Sequence, residues 1–207
     1  MTSRAAAAVV RALDDRQREA TEEVERILAA AVTVMQRVSP DAPRVSDIVA
    51  AAGVSNKAFY RYFAGKDDLM LAVMERGVAL VVSYLEHQMA KESTPAGKIT
   101  RWITGALAQV ADPELIGMSR ALVGQMSDSD KRRLGEEETM AAMRDLLVPP
   151  IRDLGSADPR RDADAVFVCT VGTMRRYVSS TEEPGGTDIS HLVGFCLRGL
   201  GVPEGMS

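Results

Sequence analysis

Residues 45–69 read VSDIVAAAGVSNKAFYRYFAGKDDL, and they define the architecture of the N-terminal part of the chain. Two short apolar patterns with helical spacing flank a Gly-Val-Ser break, and the second places Phe59 and Phe63 four residues apart on one face. A helix, a glycine-containing turn and a second short helix form the helix-turn-helix pattern. The residues predicted to form its core are Val45, Ile48, Val49, Ala52, Val54, Phe59 and Phe63.

Polar and small residues mark the ends of these helices. Ser46 is predicted to cap the first short helix, and Gly53 suits the turn that follows it. Ser55 is predicted to cap the second helix, which reaches Phe63. Ala64 and Gly65 then interrupt the helical pattern. A long fourth helix is predicted to begin at Lys66, because Asp67 and Asp68 would lie in its first turn, where acidic residues are favourable.

The opposite face of the second short helix carries groups that suit nucleic acid. With the two phenylalanines inward, Asn56, Lys57, Tyr60 and Arg61 point outward, and they can bond to base edges and phosphate oxygens. Residues 37–66 hold five basic and two acidic residues, a net charge of +3, whereas the whole chain carries −4. The sequence therefore indicates one DNA-facing surface on an acidic protein.

The segment VSDIVAAAGVSNKAFYRYFAGKDDLMLAV resembles the N-terminal domain of the tetracycline-repressor (TetR) family of bacterial transcriptional regulators. The family pattern has a Thr/Ser-capped helix, A-G-V-S, L/F-Y-x-H/Y-F, a small residue and K-x-x-L. The preceding RILAAAVTVMQRV resembles its first helix, so the match covers residues 26–73. The C-terminal two thirds matches only in its helical layout.

The resemblance implies roles for individual side chains. Ser46, Tyr60 and Tyr62 would contact phosphates, and Lys66 would do so at the N-terminus of the fourth helix. The major groove would receive the start of the second short helix, where Lys favours guanine and Asn favours adenine. Many relatives have Gly and Thr at positions 57 and 58, so the operator sequence does not follow from the family. The predicted DNA-binding residues are Arg44, Ser46, Ser55, Asn56, Lys57, Tyr60, Arg61, Tyr62 and Lys66.

The chain before the first helix leaves two alternatives open. Arg4, Arg11 and Arg16 would form a minor-groove arm, or the Ala-rich segment would be a frayed extension of the helix. We expect a DNA-binding domain over residues 1–66, with 1–15 a flexible extension. Residues 67–207 are expected to form a helical domain for effector binding and dimerisation.

The rest of the chain also has helical periodicity, and the predicted fold is all-α with about nine helices. The first helix, 14–38, carries an apolar stripe of Val24, Ile27, Leu28, Ala31, Val32, Met35 and Val38. The fourth helix is apolar nearly all round over 69–85, so we expect it to be buried on several sides and to join two parts of the molecule. Further helices are predicted over 99–110, 113–126, 131–154 with a kink or division at Pro149-Pro150, 162–180 and 188–200.

The C-terminal helices supply candidates for two further sites. The resemblance implies an effector pocket, for which the candidates are Trp102, Met118, Leu122, Met126, Met140, Met143 and Phe167. It also implies a dimer through the last two long helices, for which the candidates are Val168, Val171, Gly172, Ile189, Leu192, Val193, Cys196 and Leu200. Ordinary core packing is the alternative for both sets.

Composition restricts the class of protein. Two cysteines, Cys169 and Cys196, are too few for a disulfide framework, and small core residues are the simpler interpretation than redox sensors. No apolar run reaches the length of a membrane span, and we expect a cytoplasmic protein.

The sequence has no catalytic motif that we can identify. No metal-ligand spacing, phosphate-binding loop or nucleophile motif is present, so neither an enzyme nor a cofactor is expected. The acidic GEEET at 135–139 is a solvated helix face, or it helps to bind a cationic effector.

These observations predict a homodimeric transcriptional regulator, most simply a repressor. Two recognition helices would enter successive major grooves of a near-palindromic operator, and a small, mostly apolar effector would release it. The alternatives are a helical adaptor or an enzyme with a vestigial helix-turn-helix module, and a redox-sensing regulator.

Overall fold

The computed structural model describes residues 3–38, 41–111, 130–178 and 184–203. Within these ranges the chain forms nine α-helices and no strand, which confirms the predicted all-α fold. None of these helices is long and apolar enough to cross a membrane. The helices are α1 (Arg4–Val38), α2 (Val45–Ala52), α3 (Asn56–Tyr62), α4 (Lys66–Met89), α5 (Pro95–Ala111), α6 (Asp130–Asp145), α7 (Val148–Asp153), α8 (Pro159–Val178) and α9 (Gly186–Gly199).

Two compact units make up the chain, residues 1–73 and 74–207. Their division falls inside α4, whereas the sequence placed the domain boundary at the start of that helix, between residues 66 and 67. The first two turns of α4 therefore belong to the helix-turn-helix unit. Leu69, Met70 and Val73 are buried there.

Helix α1 begins at Arg4, ten residues earlier than the predicted 14. The run of alanines from residue 5 to 8 explains the early start, because alanine has the highest intrinsic helix propensity. The side chains described before Ala20 are exposed, except that of Ala7. The segment that carries Arg4, Arg11 and Arg16 is therefore a helical extension, and a contact between these residues and DNA stays a prediction.

The apolar stripe of α1 is buried in its second half. Ile27, Leu28, Ala31 and Met35 are buried as predicted, and Ala30 and Val34 join them. Val24, Val32 and Val38 are only half-buried. This stripe packs against α2, whose Ile48, Val49 and Ala52 are also buried, so α1 and α2 share one apolar core.

The turn between α2 and α3 has the backbone that its sequence predicts. Gly53 has a φ of 64°, in the left-handed region that favours glycine, and it ends α2. Ser55 caps α3, where its hydroxyl oxygen accepts a hydrogen bond of 3.1 Å from the Ala58 backbone N–H. The predicted cap at Ser46 is wrong. Helix α2 begins at Val45, two residues before the start that a Ser46 cap implies, so Arg44 occupies the N-cap position. The Ser46 hydroxyl instead donates to Asp47 Oδ1 at 3.4 Å.

The second unit packs its helices around α5. Trp102, Ile103 and Leu107 of α5 have no exposed surface, and α5 contacts α7, α8 and α9. Helix α4 approaches α5 closely, since a Cβ on Gly105 would lie 2.8 Å from Leu85 Cδ2. The expectation that α4 is buried on several sides is wrong at Leu80 and Tyr84, which are 64% and 39% exposed. A one-dimensional apolar run cannot tell a buried face from an apolar face that has no covering helix.

The predicted helix 131–154 is divided, as its two prolines led us to expect. Helix α6 ends at Asp145, and α7 begins at Val148 with the prolines in its first turn, where a missing N–H costs no intrahelical bond. Leu147 and Ile151 are buried beside this break. The predicted helix 113–126 lies outside the described residues.

Candidate nucleic-acid interface

The inward face of α3 holds the helix in place. Phe59 has no exposed surface, and Phe63 is buried, as predicted. Their ring centroids are 5.7 Å apart, and Phe59 makes an edge-to-face contact with Tyr60 at 5.1 Å. Ala58 is also buried, so this position lies on the core side of the helix.

The outward face of α3 presents hydrogen-bond donors to solvent. Asn56, Lys57, Tyr60 and Arg61 are all exposed, and the Tyr60 side chain is 60% exposed although its ring contacts Phe59. Within the described part of the chain, the Tyr60 hydroxyl has no hydrogen-bond partner. A helix with a clamped apolar face and an exposed face of amide, ammonium and phenol groups has the form of an element that enters a major groove.

Residues from neighbouring helices flank this face. Arg44 and Ser46 are exposed at the start of α2, and Lys66 is half-buried as the first residue of α4. Asp68 lies in the first turn of α4, and its Oδ2 accepts a hydrogen bond of 2.8 Å from the N–H of Ala64, which precedes the helix. A phosphate at this helix end would therefore meet a carboxylate as well as the Lys66 ammonium.

Arg61 and Tyr62, two predicted DNA contacts, are bonded inside the protein. The Tyr62 hydroxyl donates to Glu23 Oε2 of α1 at 2.8 Å, and Arg61 Nη1 lies 3.5 Å from the same oxygen. Arg61 Nη1 also donates to the Tyr62 hydroxyl oxygen at 3.4 Å, and its guanidinium carbon lies 5.4 Å from the Tyr62 ring centroid. The hydrogen bond to Glu23 raises the pKa of Tyr62 above its ordinary value of 10.0.

Glu23 is a residue that the sequence analysis missed. It lies one helical turn before Ile27 and two before Ala31, so it occupies the apolar stripe of α1 at i, i+4, i+8 spacing. A carboxylate in line with a buried stripe indicates a partner on the facing element. That spacing was a usable signal, although it does not identify the partner.

The predicted effector residues divide into two groups. Trp102 and Met143 are buried in the second unit, where the Trp102 indole N–H donates to the Met143 carbonyl oxygen at 3.0 Å. Phe167 is half-buried with its ring centroid 6.2 Å from that of Trp102, and Met140 is also half-buried. The structure thus brings Trp102, Met143 and Phe167 together. The other three candidates, Met118, Leu122 and Met126, lie outside the described residues.

The predicted dimer residues do not share one environment. Val193 and Cys196 are buried within the chain, whereas Val168 is 66% exposed and Gly172 is exposed. Val171, Ile189, Leu192 and Leu200 are half-buried. Phe195, which was not among the predicted residues, is 56% exposed on α9. Of the apolar stripe of α9 only Val193 and Cys196 are buried, and the exposed Phe195 lies beside this stripe and not within it.

Comparison with known proteins agrees with this geometry. Residues 27–73 match the model of the tetR family of bacterial regulatory proteins, which confirms the resemblance predicted for this part of the chain. Among curated protein sequences none matches.

Solved structures of transcriptional regulators share the fold. The chain is similar to Bacillus subtilis FadR, a transcriptional regulator solved in complex with stearoyl-CoA. The identity is 20%, the TM-score is 0.68, and the match covers 85% of this chain and 96% of that chain. It is similar to the fatty acid degradation regulator FadR of Bacillus halodurans, at 20% identity and a TM-score of 0.66, with the same coverages of 85% and 96%. The reduced form of Escherichia coli NemR matches at 18% identity and a TM-score of 0.65, over 85% of this chain and 96% of that one.

Proposed function

Because residues 27–73 carry the helix-turn-helix domain of TetR-family regulators, we propose that this chain is a ligand-responsive, DNA-binding transcriptional repressor. The observation that carries the proposal is the two-sided character of α3. Its phenylalanines are buried, while Asn56, Lys57 and Tyr60 are exposed together beside Ser55. The protein acts on cytoplasmic DNA in this proposal.

Each exposed residue has a role that follows from its chemistry. Lys57 and Asn56, in the first turn of α3, are placed to read base edges, since Lys pairs with guanine O6 and N7 and Asn with adenine. Tyr60, Ser46, Arg44 and Lys66 surround them and fix the register through phosphate oxygens. Ser55 keeps a free hydroxyl proton for a phosphate or a base, because its cap bond uses only its oxygen as an acceptor.

We propose a homodimer built from α8 and α9, with two-fold symmetry that matches a near-palindromic operator. The exposed apolar side chains Val168 and Phe195 would lie at its centre, with Gly172 allowing close approach of the helices. Val193 and Cys196, predicted for the same interface, would support it from within the core. The two α3 helices would then meet successive major grooves about one helical turn, roughly 34 Å, apart.

We propose that the second unit binds a small, mostly apolar effector. The cluster of Trp102, Met143 and Phe167 is apolar, and the similar FadR of Bacillus subtilis was solved with stearoyl-CoA, which has a long acyl chain. Binding of such a molecule would favour a state of the dimer whose recognition helices no longer fit the operator.

The DNA-binding proposal is tested by fluorescence anisotropy with the duplex upstream of the protein's own coding sequence and a scrambled duplex, over a series of salt concentrations. Lys66→Ala is expected to weaken binding to both duplexes and to lower the salt slope by about 0.9, the value for one phosphate contact. Lys57→Ala is expected to reduce the preference between the two duplexes. Lys91→Ala, an exposed lysine of the second unit, is the matched control.

Tyr60→Phe removes the hydroxyl group of Tyr60 without changing the charge of the protein, so it tests a hydrogen bond to DNA alone. It is expected to weaken binding to all sequences without changing the salt slope, whereas Tyr84→Phe, the exposed tyrosine of the second unit, leaves binding unchanged. A wild-type protein with no salt-sensitive duplex affinity would overturn the proposal and favour an adaptor or enzyme.

The dimer is tested by sedimentation. Phe195→Asp should give a monomer, whereas Leu80→Asp, at another exposed apolar position, should leave a dimer.

A further inference from the structure

We propose that Glu23 is a positioning residue that withholds Arg61 and Tyr62 from DNA and so sets the number of phosphate contacts of the recognition helix. The inference rests on the proposed DNA-binding function and deepens it. Glu23 lies on α1, four residues before the segment that matches the tetR family model, whereas both donors lie on α3. The structure therefore joins a residue outside the family pattern to two residues inside it.

The geometry places a single carboxylate oxygen at the centre of the cluster. Glu23 Oε2 accepts the Tyr62 hydroxyl at 2.8 Å, a normal length for this type of bond, and it lies 3.5 Å from Arg61 Nη1. The Arg61–Tyr62 hydrogen bond closes the triangle at 3.4 Å. A carboxylate with a phenol proton and a guanidinium group on one oxygen imitates the contacts that a DNA phosphate would receive from the same two side chains.

Burial makes the two donors unequal. The Glu23 side chain is only 22% exposed, and Tyr62 is half-buried, so their hydrogen bond is partly shielded from water. The Arg61 side chain is 60% exposed, and its nitrogen lies 3.5 Å from the carboxylate oxygen, so this contact is longer and more solvated than the Tyr62 hydrogen bond. Glu23 consequently holds Tyr62 more firmly than Arg61.

The contacts with Glu23 limit what Tyr62 and Arg61 can offer to a DNA phosphate. Tyr62 cannot donate its one hydroxyl proton to a phosphate while it donates it to Glu23. The charge of Arg61, on the outward side of α3, is offset by the Glu23 carboxylate 3.5 Å from its Nη1, which reduces the net positive charge that Arg61 offers to a phosphate. Removing the charge of Glu23 should therefore release one cation to the DNA backbone, and each added phosphate contact steepens the salt dependence by about 0.9.

The test compares Glu23→Gln with Glu22→Gln, an exposed carboxylate one residue earlier on α1, in the full-length protein. Gln keeps the length of the side chain and can still accept the Tyr62 hydrogen bond, so the substitution removes the charge and little else. Glu23→Gln is expected to steepen the salt slope of duplex binding by about 0.9. Between about 50 and 200 mM salt, this is an additional loss of affinity of about threefold to fourfold. Glu22→Gln should leave the slope unchanged.

The second arm removes the cation. Arg61→Gln alone should leave the wild-type slope unchanged, and the double variant Glu23→Gln/Arg61→Gln should return to it. A slope that falls by about 0.9 in Arg61→Gln would show that Arg61 already binds phosphate, and it would overturn the inference. Equal effects of Glu23→Gln and Glu22→Gln would overturn it too, since a general charge effect then accounts for both.

Two further outcomes are separable from these. If Glu23→Gln does not fold, the Arg61→Gln slope still decides the question, because Arg61 is exposed and its loss leaves the core intact. A wild-type protein without salt-sensitive affinity overturns the proposed function itself, and this inference with it. A normal wild-type slope that no Glu23 variant alters overturns only the inference.

Discussion

Gly53→Ala is expected to destabilise the helix-turn-helix unit through backbone conformation alone. Gly53 has a φ of 64°, and a Cβ built on it meets no atom within 4 Å. The substitution therefore introduces no clash, and its cost is that of a left-handed L-residue, about 1–2 kcal/mol. The reduced freedom of the unfolded chain offsets about 0.4–1 kcal/mol of this. The net loss in free energy of unfolding is about 1 kcal/mol.

The chain offers a control at a second glycine of the same unit. A Cβ on Gly65 also meets no atom within 4 Å, but its φ is outside the positive region, so Gly65→Ala should be neutral or stabilising by about 0.4–1 kcal/mol. Gly53→Asn should recover part of the loss, because asparagine tolerates the left-handed region better than alanine.

Thermal unfolding followed by far-UV circular dichroism measures these differences. For a unit of 73 residues, a loss of 1 kcal/mol lowers the midpoint by about 4–8 °C. The fluorescence of Trp102, the chain's single tryptophan, reports the second unit separately. Equal midpoints for Gly53→Ala and Gly65→Ala would refute the reasoning, because both sites have open space for a Cβ and only Gly53 has a positive φ.

Two further outcomes follow from the second unit. Trp102→Phe removes the indole N–H that donates to the buried Met143 carbonyl oxygen. It should lower the free energy of unfolding, measured in urea, by about 1–3 kcal/mol. A loss no larger than that of Tyr84→Phe would contradict this. Burial raises the pKa of the Cys196 thiol from 9.0 to about 11, with the nearby Cys169 adding to the shift. Because the folded state holds this proton more tightly, the stabilisation is complete below pH 9 and is lost between pH 9 and about 11, which a pH series of unfolding curves for wild type and Cys196→Ser would measure.

The sequence predicted the helix-turn-helix unit well because its signals are local. Apolar spacing predicted the buried face of α3, and Gly53 marked the turn between α2 and α3, which has a left-handed residue. The Ser46 cap failed for a local reason as well. The N-cap position depends on where the backbone leaves helical angles, and here that is Arg44, whose φ and ψ are −93° and 141°.

The interactions that the sequence did not predict join distant positions. Glu23 and Tyr62 are 39 residues apart, and no periodicity within either helix specifies that they meet. The apolar stripe of α9 was real, but a single helix does not state which neighbour covers each of its faces. Val193 and Cys196 therefore lie in the core of the chain, while Phe195 between them is exposed.

The close approach at Gly105 has a consequence for packing within the second unit. A Cβ there would lie 2.8 Å from Leu85 Cδ2 and 3.3 Å from Tyr84 Cε1. Any side chain at this position would therefore have to displace Leu85 or Tyr84 of α4. Gly105 lies three residues after the buried Trp102 on α5, so a position without a side chain lets α4 and α5 touch beside the Trp102 cluster.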